Sequence, residues 1–336
     1  VAVALVIAGL TLSASGGSSA SPPKAQSVVS HPTDLQGFGA YVKVACRSDT
    51  DCFASGVTAN LSSVYYRFNG SWKKTTPPGP LRQKDFFVSA ISCWNKVDCS
   101  YAGDGVAFST QSGWSSSAPP GLITPIGVSC LHLQASSLFA GVYCVAVDEQ
   151  GDASVYVNGQ WSSLDRVDPY GTNYGDNQEV NGVACGLSYT SYAPLCFGYD
   201  NSGHIFEISG RQTIRPVELT SLSDSLVGGS CGESTCVLLD SQGNSYFFSE
   251  GGWTSRESPK VSAISCSLES TVCLGATKDG VVSSTNGGTW QLDVRGDTAW
   301  RTSPPNSIAC VARRCVAANA NNTLFSVRLP SKTTQN

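Results

Sequence analysis

The sequence predicts an all-β fold: a seven-bladed β-propeller of four-stranded antiparallel blades, with one disulfide inside each blade. Three observations lead there: paired cysteines, a repeat length and a recurring order of turns. The 14 cysteines fall into seven short-range pairs: Cys46 and Cys52, Cys93 and Cys99, Cys130 and Cys144, Cys185 and Cys196, Cys231 and Cys236, Cys266 and Cys273, Cys310 and Cys315. The first members lie 47, 37, 55, 46, 35 and 44 residues apart, a mean of 44. Short strands repeating at that length are what propeller blades look like in sequence. A chain of 336 residues could hold two domains. A sevenfold repeat argues for one, because a blade cannot bury its faces alone.

Each repeat holds four β-prone segments. The sixth shows the pattern: Ala263-Ile264-Ser265-Cys266, then Cys273-Leu274-Gly275-Ala276, then Asp279-Gly280-Val281-Val282, then Gly287-Gly288-Thr289-Trp290. The first segment is small and apolar and ends at the first cysteine; the second starts at the second cysteine. In the third and fifth repeats an Asp-x-x-Gly turn (Asp148 to Gly151, Asp240 to Gly243) leads into a Val/Tyr/Phe strand. Glycine supplies positive φ in such turns, and aspartate bonds the backbone two residues on. A Gly-x-Trp opens the fourth strand, as in Gly159-Gln160-Trp161 and Gly251-Gly252-Trp253. Small residues in the first strand suit the crowded axis, and the tryptophans fill the widening gap between blades. The fourth repeat departs, with Ser209-Gly210-Arg211 where a Trp would stand.

The disulfide is expected to staple the hairpin between strands one and two, at a Cα separation of about 5.5 Å. Closing loops of this length contributes roughly 2 to 3 kcal/mol each. The seventh repeat ends without a Gly-x-Trp strand, while the segment around Gln26 to Ser30 precedes the first repeat. That N-terminal segment is expected to supply the missing outer strand and so remove an open sheet edge.

Composition bounds the compartment and the partners. Charged residues make up 14% of the chain, against roughly 25% in an average soluble domain. The net charge of −4 is spread, and no basic stripe marks a nucleic-acid face. An even cysteine count favours disulfides and an oxidising compartment. The spacers, from four residues to thirteen, do not fit zinc, and His31, His132 and His204 follow no ligand spacing. The apolar run Val1 to Leu12 is too short to span a bilayer, which needs about 20 residues. It reads as a signal-peptide core or as the end of a membrane anchor. Residues 1–24 are therefore a targeting remnant with a Ser/Pro linker, 25–329 the propeller and 330–336 a tail. Both readings make the protein secreted or cell-surface, a monomer that touches membrane only through that anchor.

Catalytic signatures are sparse. No nucleophile elbow, phosphate loop or H-E-x-x-H occurs, and no cofactor or metal is expected. The Asp-x-x-Gly turns lack the alternating acids and distal Glu of an EF-type calcium loop. Ser283-Ser284-Thr285-Asn286-Gly287-Gly288-Thr289-Trp290 resembles the Asp-box of sialidase-like propellers, S-x-D-x-G-x-T-W, with Thr285 in place of the Asp. In that family the box is a structural turn, so the resemblance implies fold rather than hydrolysis. Over residues 25–329 the repeat pattern also resembles secreted, disulfide-stapled seven-bladed propellers of actinobacteria.

Candidate binding residues lie on the links between blades, on the rim that carries the Asp-x-x-Gly turns. The richest link holds Asp165, Arg166, Asp168, Tyr170, Tyr174 and Asp176; others hold Arg82 and Lys84, or Arg295, Asp297 and Trp300. Tyr, Trp, Arg and Asp gathered on loops are a binding-face signature. The function expected is non-enzymatic binding or sensing of an extracellular glycan, peptide, protein or cell-wall component. A sialidase-like hydrolase and an assembly scaffold are the alternatives; paired carboxylates at the channel mouth would mark the hydrolase.

Overall fold

The computed structural model describes residues 28–330 apart from 34–41, 58–62, 76–87, 95–97, 104, 111–112, 118, 134–140, 158, 169–178, 189–192, 210–212, 218–223, 234, 250–251, 257, 269 and 322. The apolar run Val1 to Leu12 and the tail 331–336 lie outside the described residues.

Seven small antiparallel sheets form a ring. The innermost strand of each blade is Lys43–Ser48, Ala90–Cys93, Pro125–Leu133, Val180–Leu187, Leu226–Cys231, Val261–Cys266 or Ser307–Val311. These strands neighbour one another in chain order, and the first meets the last. From each of the first six, the chain meanders outward through the rest of the blade. The seventh blade takes its outer strand from the N-terminus: Val28–Pro32 pairs with Thr323–Arg328, Val28 opposite Val327 and Pro32 opposite Thr323. The expected closure is therefore present.

Burial explains why blades need one another. The seven apolar clusters among the described residues each lie between two neighbouring blades, from blades 1 and 2 round to 7 and 1. The tryptophans take part as expected. Trp161 packs on Phe108 of the preceding blade, Trp253 on Phe197 and Trp290 on Phe247. Between blades 3 and 4, where the sequence lacks a Trp, Leu131, Leu133, Val157 and Ile208 fill the gap.

All seven disulfides form as paired in sequence and join the first two strands of each blade. Cys46 bonds Cys52, Cys93 bonds Cys99, Cys130 bonds Cys144 and Cys185 bonds Cys196. Cys231 bonds Cys236, Cys266 bonds Cys273 and Cys310 bonds Cys315. One expectation about them is corrected, the distance: Cα separations run from 3.9 Å at Cys46 to 4.1 Å at Cys130, below the 5.5 Å expected. The cysteines face each other directly in the ladder, as in Cys130 opposite Cys144. The short separation belongs to a non-hydrogen-bonded antiparallel pair, where the backbones come closest. The backbone N–H of the first cysteine then points away from its own sheet, with a consequence for the channel.

The stapling itself is as expected, and the structure adds its setting. The second cysteine of each pair does more than staple a rim hairpin, because it is buried in the interface with the preceding blade. Cys52 packs between blades 7 and 1, Cys99 between 1 and 2, and Cys144 between 2 and 3. Cys196 packs between blades 3 and 4, and Cys236 between 4 and 5. Cys273 lies between blades 5 and 6, and Cys315 between 6 and 7. Strand two has blades on both faces, so its cysteine enters the apolar core. A bonded cysteine is small and apolar enough to fill that place.

Candidate functional site

The inner strands enclose a central channel of about 740 Å³. Its lining is small and mostly uncharged because seven strands converge there. Gly127, Gly182 and Gly229 leave no room for more: a Cβ would stand 3.0 Å from the Gly182 Cα, 2.5 Å from the Tyr199 hydroxyl oxygen and 2.6 Å from a Leu238 methyl carbon, respectively.

Two belts of hydrogen bonds tie the blades together around this channel. In the first, the residue before the first cysteine is a serine in four blades, and its hydroxyl oxygen accepts the free N–H of the next blade's cysteine. Cys130 donates to Ser92 (3.0 Å), Cys185 to Ser129 (3.0 Å), Cys266 to Ser230 (2.8 Å) and Cys310 to Ser265 (3.0 Å). The second belt lies at the mouth on the link side. Bulges in blades 3 to 6 release Ile126, Asn181, Val227 and Ser262 from the ladder. Bulges re-aim side chains at such rims. Asn181 thereby donates to the Leu226 carbonyl at 2.6 Å and Ser262 to the Pro305 carbonyl at 2.6 Å.

Charge enters the channel in one blade. Lys43, Arg47 and Asp49 are the charged residues among its described lining, all from blade 1. Lys43 stands at the link-side end of its strand and Arg47 and Asp49 at the disulfide end. The Arg47 guanidinium lies 4.5 Å from the Phe53 ring centroid. Burial lowers the Arg47 pKa, and nearby Asp51 opposes the shift. Arg67, bonded twice to Asp51 at 2.8 and 3.0 Å, is raised by that carboxylate. Burial alone lowers the Lys43 pKa, with no carboxylate acting against it. The sequence reading missed Lys43, although a signal was present. Three residues before the first cysteine, the seven repeats read Lys43, Ala90, Gly127, Gly182, Gly228, Ala263 and Ser307.

On the link-side rim the structure separates the expected binding residues. Asp165 and Arg166 extend the fourth strand of blade 3, pairing with Ala153 and Asp152, rather than lying on a free link. Arg166 is exposed and donates from Nε to the Asp168 carbonyl at 3.2 Å. Asp168 is fully buried against Gly151, whose carbonyl accepts its N–H at 3.2 Å. Arg295 ends the fourth strand of blade 6 and is exposed. Asp297 caps the short helix Thr298–Thr302, its carboxylate accepting the Trp300 N–H at 2.8 Å. Trp300 is fully buried between blades 6 and 7 against Phe325, its indole N–H given to the Thr277 carbonyl at 2.7 Å. Asp168 and Trp300 are therefore corrected from candidate binding residues to parts of the packing. The closing strand brings no Trp, and an indole from the link occupies that interface instead. Arg82, Lys84, Tyr170, Tyr174 and Asp176 lie outside the described residues.

The Asp-x-x-Gly turns are hairpins locked by buried carboxylates. Asp240 Oδ1 accepts the N–H groups of Gln242 (2.9 Å) and Asn244 (2.8 Å); Oδ2 accepts from the Asn244 amide (2.7 Å) and the Tyr246 hydroxyl (2.9 Å). Burial and then that bond push the Tyr246 phenol up to about 12. Asp148 and Asp200 repeat the arrangement, and in blade 7 Asn319 does so. Among the described residues no group of three or more His, Cys, Asp or Glu side chains is placed to hold a metal ion.

Several solved structures share this architecture. Selenomethionine-substituted virginiamycin B lyase from Staphylococcus aureus superposes with a TM-score of 0.65 at 12% identity, covering 90% of this chain and 99% of that one. BBS1N in complex with ARL6DN gives 0.62 at 11%, over 93% and 98%. YCF48 bound to D1 peptide gives 0.59 at 13%, over 92% and 99%. The likeness is one of fold. No family model matches the chain, and no curated protein matches it.

Proposed function

We propose that the chain is a non-enzymatic recognition propeller of the cell exterior, secreted or held at the surface, that takes a peptide or glycan on its link-side rim. The observation that carries this reading is the division of the molecule into two rims around an open channel. Disulfide hairpins occupy one, while the other carries the links, whose lengths and polar residues differ from blade to blade. Seven disulfides suit an oxidising compartment outside the cytoplasm. Among the described residues no helix is long and apolar enough to cross a membrane. Glycoside hydrolysis needs two facing carboxylates, and the described channel lining carries one, Asp49. A peptide partner is favoured over a glycan by the similar propellers seen with ARL6DN and with D1 peptide.

A screen of the purified chain against peptide arrays, glycans and cell-wall fragments tests this. The expected result is a ligand whose affinity falls at least about tenfold when Arg166→Ala and Arg295→Ala are combined, as for loss of charge-assisted contacts. Absence of any ligand, together with stable capture of a folded protein partner over the whole rim, would replace recognition with scaffolding.

A further inference from the structure

We propose that the central channel is an anion site, in which Lys43 receives a carboxylate that enters from the link-side mouth. The site stands apart from whatever the rim itself binds.

Lys43 is partly accessible to water and lines the channel, where burial lowers its pKa. That ammonium makes no hydrogen bond or ion pair among the described residues. The positions equivalent to it in the other blades hold Gly, Ala or Ser, so packing does not call for a long side chain there. A cation in such surroundings costs free energy unless a counter-charge joins it. Among the described residues the channel lining supplies none nearby. Arg47 lies four residues along the same strand, about 13 Å away at 3.3 Å per residue, with Asp49 beyond it.

Further along the channel wall, hydroxyls are placed to donate. Ser92, Ser129, Ser230 and Ser265 already accept a cysteine N–H, so what each has left to give is its own O–H. Accepting one hydrogen bond polarises a hydroxyl as a donor. None of the four hydroxyls donates to an acceptor among the described residues. One uncompensated positive charge in a channel whose wall carries four hydroxyl donors, in blades 2, 3, 5 and 6, matches one negative charge with several lone pairs, which is a carboxylate rather than a phosphate dianion. The free rim is the entry because Lys43 sits at that end of its strand. Beyond Lys43, Arg47 and Asp49, the described lining holds the titratable Tyr199, which burial keeps neutral.

The carboxylate could come from a small free acid or from the end of a peptide, and the experiment separates the two. Succinate, a short peptide with a free C-terminus and the same peptide amidated are titrated into the full chain by calorimetry. In parallel, acylation of Lys43 is followed by mass spectrometry at mildly alkaline pH. Succinate or the free-acid peptide, whichever is the source, should bind and slow Lys43 acylation about tenfold, while the amide does neither. Lys43→Met should weaken binding by about 10- to 100-fold, the value of a charged hydrogen bond, and Lys43→Arg should restore most of it. The proposal is overturned if neither acid protects Lys43, or if the amide protects it equally. It is also overturned if Lys43→Met binds as wild type. Protection is read on the wild-type protein, so the test survives a variant that fails to fold.

Discussion

The two rims solve one problem, holding a tight hairpin, by different means. On one rim a disulfide joins strands one and two of every blade, and the residues between the cysteines range from four in blade 5 to thirteen in blade 3. On the other rim, in blades 3, 4, 5 and 7, the hairpin between strands two and three is held by a buried Asp or Asn that accepts two backbone N–H groups. A covalent staple tolerates any tip beyond it. A side-chain lock of this kind requires its donors at fixed offsets, so the four turns that carry it share donors two and four residues on. Neighbouring staples also lean on one another: the Gly232 carbonyl accepts from Leu187, and the Ser267 carbonyl from Glu233.

Three perturbations sharpen this contrast. The largest effect is expected from deleting residues 21–36, which removes the closing strand from both means of support. Losing the strand Val28–Pro32 and the Val28 packing should cost on the order of 4 kcal/mol, or roughly 10 °C in Tm. Unchanged melting would show that the ring holds without closure.

Blade 5 then allows both locks to be compared in one sheet. Asp240→Ala removes the acceptor of the Gln242 and Asn244 N–H groups and of the buried Tyr246 hydroxyl, an expected loss of about 3 kcal/mol by denaturant titration. Replacing Cys231 and Cys236 together by alanine opens a short loop, an expected loss of about 2 kcal/mol. If the disulfide variant proves the weaker, the carboxylate lock is the lesser device and the comparison reverses.

The smallest effect concerns pH. Burial lowers His31, on the closing strand, below its ordinary 6.5. In the window between that lowered value and 6.5 the unfolded chain holds more protons, so stability rises with pH there and falls on acidification. Melting of the wild type should therefore decline more steeply than that of His31→Asn as pH drops through this window. Parallel curves would remove His31 from the account.

Much of the architecture was legible because it rests on short-range chemistry. Cysteine spacing, Asp-x-x-Gly and Gly-x-Trp each act within a few residues, and each recurs often enough to reveal its period. Spacing gave the partners of Cys52, Cys99, Cys196, Cys236 and Cys315, but not their burial, which depends on the blade behind them. The candidate site was less legible. Trp300 and Asp168 looked like link residues because no local signal says that a link folds back into the gap between blades. Asp165 and Arg166 were misplaced for a similar reason: the fourth strand of blade 3 breaks after Trp161 and resumes, and no turn residue marks the break. Lys43 was overlooked because a single lysine in a strand reads as solvated unless its repeat positions are aligned.

The amino-acid sequence by itself determined the blade number, the disulfide pairing, the hairpin locks and the borrowing of the N-terminal strand. All of these are set by residues close in the chain or by the need to leave no edge open. Only the tertiary structure decided which polar groups face one another around the axis. The serine belt, the bulged mouth and the isolated charge of Lys43 arise from seven strands converging on one channel, and that convergence is a property of the closed ring rather than of any repeat within it.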